Sequence, residues 1–235
     1  MGSVLLFLTL VAIVVAWWLV RQRLTSKPWL EEGPLGEAPG TGASPLPAAT
    51  LGLGVFLVIV GTLFSLLISA YSMRMTMTDW RPLPVPDVLW FNSGLLVASS
   101  VALQLAHSAA KRGRMEDLKL GLLGGAGFAL LFLFGQILVW RQLSAAGYFL
   151  ASNPANAFFY LLVALHGLHL SGGLVALGRS ANRVWRGTYQ RDAIRRSVGL
   201  CAAYWHFLLL IWLIVMTLLM GWADDFIELC GRLFS

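Results

Sequence analysis

Charge is what this sequence has least of. Only 12% of its 235 residues are Asp, Glu, Lys or Arg, against 58% hydrophobic. A soluble domain carries roughly twice that charge, so the composition excludes an ordinary soluble fold. Acids are missing where they would matter most. All eleven Asp and Glu, and all Lys and Arg, lie outside six long apolar runs or at their edges. Moving protons or ions across a bilayer calls for an ionisable group at membrane depth. Their absence argues against a self-sufficient pump or ion-coupled transporter, and there is no inverted repeat to support a small-molecule transporter. Cysteine is also scarce: Cys201 and Cys230 are the only two. The topology below puts a membrane between them, so two free thiols are expected. The sequence contains no P-loop, nucleophile elbow, His-Glu-x-x-His or Gly-rich dinucleotide fingerprint, and nothing points to an independent active site.

What is present in abundance is hydrocarbon. Six runs, approximately 3–20, 50–72, 88–110, 119–140, 156–178 and 197–222, are each close to the 20 or so residues that cross a bilayer. The pI near 9.8 and formal charge of +6 do not indicate nucleic acid, because the basic residues sort by membrane side. The connections 21–49, 111–119 and 179–196 hold 13 of the 17 Lys and Arg. The positive-inside rule places these connections in the cytoplasm and both termini outside. In the first run the basic flank (Arg21, Arg23) follows the apolar stretch, and no small-x-small site comes after it. It is therefore expected to be a retained helix and not a signal peptide.

Residues 21–49 carry five prolines and four glycines and read as an irregular cytoplasmic linker. A flexible chain of that length reaches about 30 Å, so the first helix is free to dock on a partner. The expected organisation is an all-α integral membrane protein of six transmembrane helices. Residues 1–20 form a tethered helix, 21–49 the linker, 50–222 a five-helix core, and 223–235 an outer tail bearing Asp224, Asp225 and Glu228. That tail reads as a solvated helix end. The outer loop Asp79–Pro86 has alternating prolines and is expected to be extended.

Some residues in the core run against its apolar background. Gly121 and Gly125, four apart, make a small-residue ridge for close helix packing, as do Gly172 and Gly173. His166 and His169 share one helix face near mid-membrane, and His206 reaches a similar depth on the next helix. Two readings stand open: ligation of haem or metal, or hydrogen bonds between helices worth about 1 kcal/mol. No Cys, Asp or Glu lies nearby to complete a metal site.

The wording around these histidines narrows the choice. Phe158-Phe-Tyr, His166-Gly-Leu-His169, Gly172-Gly173 and Tyr204-Trp-His-Phe207 with Trp212 resemble subunit III of haem–copper terminal oxidases. Leu51-Gly, Phe56-Leu, Phe64, Ala70-Tyr71, the Pro-Leu-Pro loop and Ser99-Ser100 extend the resemblance over residues 50–222, in the manner of short bacterial members. It implies a subunit that is not an enzyme on its own and binds no haem or copper. Haem and copper would reside in partner subunits of a respiratory complex in the bacterial cytoplasmic membrane. Subunit I would be the main contact, with subunit II in the same complex, cytochrome c or else quinol as donor, and phospholipid bound between helices. The chain would stabilise subunit I and support proton uptake and sustained turnover. His166, His169, Tyr204, Trp205 and His206 would be structural, joining the last two helices. Two positions depart from the family: acids common there are replaced by Val60 and Leu209, so no proton role attached to them transfers. Two alternatives remain: a subunit-III-like accessory protein of a nitric oxide reductase, and a free-standing haem- or metal-binding membrane protein.

Overall fold

The computed structural model describes residues 48–84, 86–187 and 191–221. Five helices account for almost all of them: α1 Ala48–Met75, α2 Val88–Arg112, α3 Met115–Ala145, α4 Pro154–Arg186 and α5 Arg191–Leu219. There is no strand among the described residues. All five helices are long and apolar enough to cross a membrane, and they are the second to sixth of the expected spans. With no water in the bilayer core, only closed backbone hydrogen bonding is tolerated there, which is why apolar runs of this length become helices. The expected first helix at 3–20, its linker up to residue 47, the outer tail at 223–235 and both termini lie outside the described residues.

Several helices outrun their hydropathy. α3 starts four residues before its apolar run, α4 continues eight beyond, and α5 begins six early. Hydropathy stops where charge begins, but the helical backbone does not. Glu116 and Asp117 sit in the first turn of α3, where the helix dipole favours acids. They pair with Lys119 at 2.9 Å and Arg114 at 3.0 Å. Arg179, Arg183 and Arg186 extend α4 at helical spacing, their stems free to lie along apolar surface while the charges reach water. Gly113 ends α2 in the left-handed region (φ 72°), and the Arg114 N–H then returns to the Ala109 carbonyl at 3.0 Å. At the other end of the bundle, the Asn153 side chain caps α4 by accepting from the Ala155 N–H, with Pro154 in the first turn. Its amide donates to the Arg81 carbonyl at 2.5 Å, tying the non-helical Pro-rich loop to α4.

The chain divides into two units between Val60 and Gly61, inside α1. In the first, the described stretch is helical, with Val55, Phe56, Val58 and Ile59 exposed and Val60 buried. In the second, α2, α3, α4 and α5 pack in a closed ring, each against the next and α5 against α2. The α1 segment from Gly61 onward packs on this ring through Phe64 against the His169 ring (5.8 Å) and Tyr71 against Phe158 (5.7 Å). The largest fully buried side chains are Trp205, Trp212, Tyr160, Phe64, Phe132 and Phe159. Leu120, Leu123, Phe134, Leu168 and Val175 point outward and are more than half exposed. A bilayer suits such a surface, because lipid tails are as apolar as leucine.

Candidate functional site

Most buried polar groups of the ring join helices; among the described residues, Gln136 of α3 is buried with neither amide atom hydrogen-bonded, and Asn156 bonds to Phe149 and Ser152 just before its own helix. Trp205 and Trp212 lie seven residues apart on α5, about two turns, and therefore on one face. The Trp205 indole N–H donates to Ser99 Oγ at 2.8 Å, and Ser99 Oγ donates to the Gly125 carbonyl at 2.7 Å. That relay runs from α5 through α2 to α3. Two turns along, the Trp212 indole donates to Ser93 Oγ at 2.8 Å, and Ser93 donates to Leu89 O in its own helix. Asn92 beside it sends its amide to the Phe132 carbonyl of α3 at 3.1 Å. The close approach depends on Gly135, where a Cβ would fall on the Asn92 amide.

Toward α4, His166 is fully buried and bonds through Nε2 to the Leu208 carbonyl at 3.2 Å. A carbonyl only accepts, so Nε2 carries the proton. The ring is packed against Trp212 at 5.0 Å and Phe132 at 5.7 Å. His169 Nδ1 donates to Leu165 O of its own helix at 2.7 Å, while the His169 carbonyl accepts from the Tyr204 hydroxyl at 2.8 Å. His206 turns away from α4. Its Nδ1 meets Ser100 Oγ at 2.5 Å and its Nε2 meets Gln104 Oε1 at 3.0 Å, both on α2.

The five residues expected to join α4 and α5 therefore divide. His166 and Tyr204 bond directly across that interface and His169 lends its backbone, but Trp205 and His206 bond to α2, as does Trp212. The glycines divide as well. A Cβ on Gly121 would lie 2.8 Å from Ala106 Cβ, and one on Gly125 2.7 Å from Leu103, so both permit α3 to close on α2. One on Gly173 would lie 2.6 Å from the Tyr204 ring, whereas one on Gly172 meets nothing within 4 Å. The packing expected of that pair rests on Gly173 alone. Val60 is buried and Leu209 half-buried.

Ser93, Asn92 and Gln104 were not singled out from the sequence. Their signal was there: small or amide side chains recurring in one otherwise apolar run, together with Ser99 and Ser100. At the end of the bundle that carries the Pro-rich loop, Tyr160 donates to the Tyr148 carbonyl at 2.7 Å. Arg74 grips Asp79 with two bonds of 2.7 and 2.5 Å, and this guanidinium holds the Asp79 carboxyl below the usual carboxylate range. Among the described residues, no three His, Cys, Asp or Glu converge as a metal-binding group.

A lattice of His, Trp and Tyr bonds within a helix bundle is the structural counterpart of the phrases at 156–169 and 204–212. The family model for cytochrome c oxidase subunit III matches residues 50–224. The chain belongs to the cytochrome c oxidase subunit III family. It is 30% identical over 180 residues to cytochrome c oxidase subunit 3 of Thermostichus vulcanus, covering 72% of this chain and 85% of that one. It is likewise 30% identical over 125 residues to a probable cytochrome c oxidase subunit 3 of Mycobacterium tuberculosis, covering 53% of this chain and 61% of that one. Cytochrome bo(3) ubiquinol oxidase subunit 3 of Pseudomonas aeruginosa is 29% identical over 182 residues, covering 72% of this chain and 84% of the relative. As a subunit III, the chain is a multi-pass membrane protein and an accessory member of a haem–copper oxidase complex.

Proposed function

We propose that this subunit III is non-catalytic and serves a bacterial respiratory oxidase that passes electrons from cytochrome c to oxygen and pumps protons. It sits in the cytoplasmic membrane with both termini outside, packs against subunit I in a complex with subunit II, binds phospholipid, and supports proton uptake and sustained turnover by subunit I. Haem and copper belong to the partners. The observation that carries this reading is the use of the mid-membrane His and Trp side chains as ties between helices: His166 to a backbone carbonyl, His206 to Ser100 and Gln104, Trp205 and Trp212 to serines. A chain whose polar groups go into cohesion, and whose spans carry no carboxylate, is suited to support a neighbour's chemistry and not to perform its own.

A second reading is favoured by one observation. Val60 and Leu209 stand where family members commonly carry acids, which fits a subunit-III-like partner of a nitric oxide reductase, an enzyme that does not pump protons. Purifying the tagged full chain in mild detergent, with a reduced-minus-oxidised spectrum and mass identification of the recovered subunits, separates the readings. Haem signals with a large catalytic subunit and a copper-binding partner are expected. A reductase catalytic subunit would select the second reading, and haem retained by the chain alone would overturn both.

A further inference from the structure

One polar cluster of the bundle is not enclosed by it. His206 and Gln104 are exposed on the seam where α5 meets α2. Ser100, which meets His206 Nδ1, is 12 residues from each end of α2, or about 18 Å from either end. His206 is similarly central in α5. Ser100 and His206 are thus central in their helices, and Gln104 lies one turn nearer the Arg112 end of α2, about 12 Å from it, still inside the apolar span. Around it, the outward stripe of α5 is Ala203, Leu210 and Leu213, and that of α2 is Val97, Val101 and Leu105.

The direction of the hydrogen bonds decides what the cluster still needs. Gln104 Oε1 can only accept, so the His206 Nε2–H donates to it, and Nδ1 accepts from the Ser100 hydroxyl. Both ring nitrogens are thereby occupied. What is left over is the Gln104 amide nitrogen, with two N–H groups, exposed and without a partner among the described residues. Lipid tails at this depth offer no acceptor. Headgroups lie at the ends of the spans. Two cavities among the described residues lie elsewhere: one lined by Tyr71, Trp80, Phe159 and Met220, the other an apolar groove between α3 and α4, lined by Leu122, Leu130, Val175 and Trp185.

We propose that the α2/α5 seam centred on Gln104 and His206 is the docking face for a transmembrane helix of the catalytic partner subunit, and that this helix presents an oxygen acceptor to the Gln104 amide. The acceptor is a hydroxyl, amide or carboxylate oxygen near mid-membrane, flanked by apolar side chains that meet Val101 and Leu210. Small Ala203 beside His206 gives such a helix room to approach closely. The inference rests on the reading of the chain as an oxidase subunit, and it assigns the face through which that role is exerted. The α3/α4 groove is the natural contrast, since its lining is apolar apart from the indole N–H of Trp185, and it suits acyl chains.

The test uses the full chain in its own membranes. A photo-crosslinking phenylalanine analogue is placed singly at Val101 and Leu210 on the seam, and at Leu123 and Val175 on the opposite face. The expected result is a crosslink to one larger subunit from positions 101 and 210 and none from 123 and 175. In parallel, Gln104→Leu is expected to lower the partner retained through a detergent wash about fivefold, the effect of one interhelical hydrogen bond. Crosslinks from the α3/α4 positions only, or from the seam to lipid, to a second copy or within the chain itself, would overturn the proposal. So would unchanged retention in Gln104→Leu. If the unmodified chain brings down no oxidase subunit, the functional reading itself fails, and that is seen before any crosslink is made.

Discussion

Two faces of α5 carry similar residues and do opposite things. Inward, Trp205 and Trp212 close on Ser99 and Ser93, and each serine passes its own proton to a backbone carbonyl, so every donor is spent. Outward, His206 spends both ring nitrogens on α2 but hands an unspent amide, that of Gln104, to the membrane side. The contrast teaches that burial, more than residue type, separates cohesion from recognition in this bundle. A satisfied polar group holds helices together, and an open one at membrane depth requires a partner.

The largest effect should come from breaking the inner face. Trp205→Ala removes a fully buried indole and is expected to cost about 3–5 kcal/mol, read as a lowered unfolding temperature of the purified chain in detergent. A shift no larger than that of a lipid-facing substitution such as Leu123→Ala would contradict the inner lattice. Next come the glycines. Gly173→Ala drives a Cβ into the Tyr204 ring and should cost about 1–3 kcal/mol. Gly172→Ala, in open space, should be neutral or stabilising by up to about 1 kcal/mol. Equal effects would mean that α4 and α5 do not approach at Gly173.

Serine and glutamine sharpen the comparison. Ser99→Ala should cost about 1 kcal/mol in the isolated chain, because the Trp205 indole loses its acceptor. Gln104→Leu should cost the isolated chain a similar amount, because the His206 Nε2–H loses its acceptor, and should in addition weaken partner retention, which Ser99→Ala should leave unchanged. The reverse pattern would exchange the roles of the two faces. The smallest effect belongs to the ion pair between the end of α1 and the Pro-rich loop. Arg74 lowers the Asp79 carboxyl, so that pair's contribution is full above the ordinary carboxylate value near 3.9 and fades as pH falls through the lowered one. Both partners are solvent-exposed, and Asp79→Asn should remove this acid dependence with little change at neutral pH.

The five described spans were legible because a bilayer imposes one length and one polarity on each. Their ends were less so: Arg179, Arg183 and Arg186 look like a connection by charge and are helix by backbone. His166, Trp205 and Trp212 were legible as phrases, since a histidine or indole at membrane depth stands out. Their partners were not. Ser93 and Ser99 lie more than 100 residues away from the tryptophans they bind, and a serine in an apolar run carries little pattern of its own. The sequence therefore suggested that Trp205 and His206 join α4; Trp205 does lie against Gly173 of α4 but spends its N–H on Ser99, and His206 meets Ser100 and Gln104, because α5 packs antiparallel on α2.

The most direct test of the account is to purify the complex through a tag on this chain, unmodified and as His206→Leu, and to measure both the catalytic subunit recovered and the haem per catalytic subunit. Less catalytic subunit is expected from the variant, with an unchanged haem ratio, because His206 is a hydrogen-bonding group on a docking face. Haem lost in proportion to the histidine would make His206 a ligand and contradict the account.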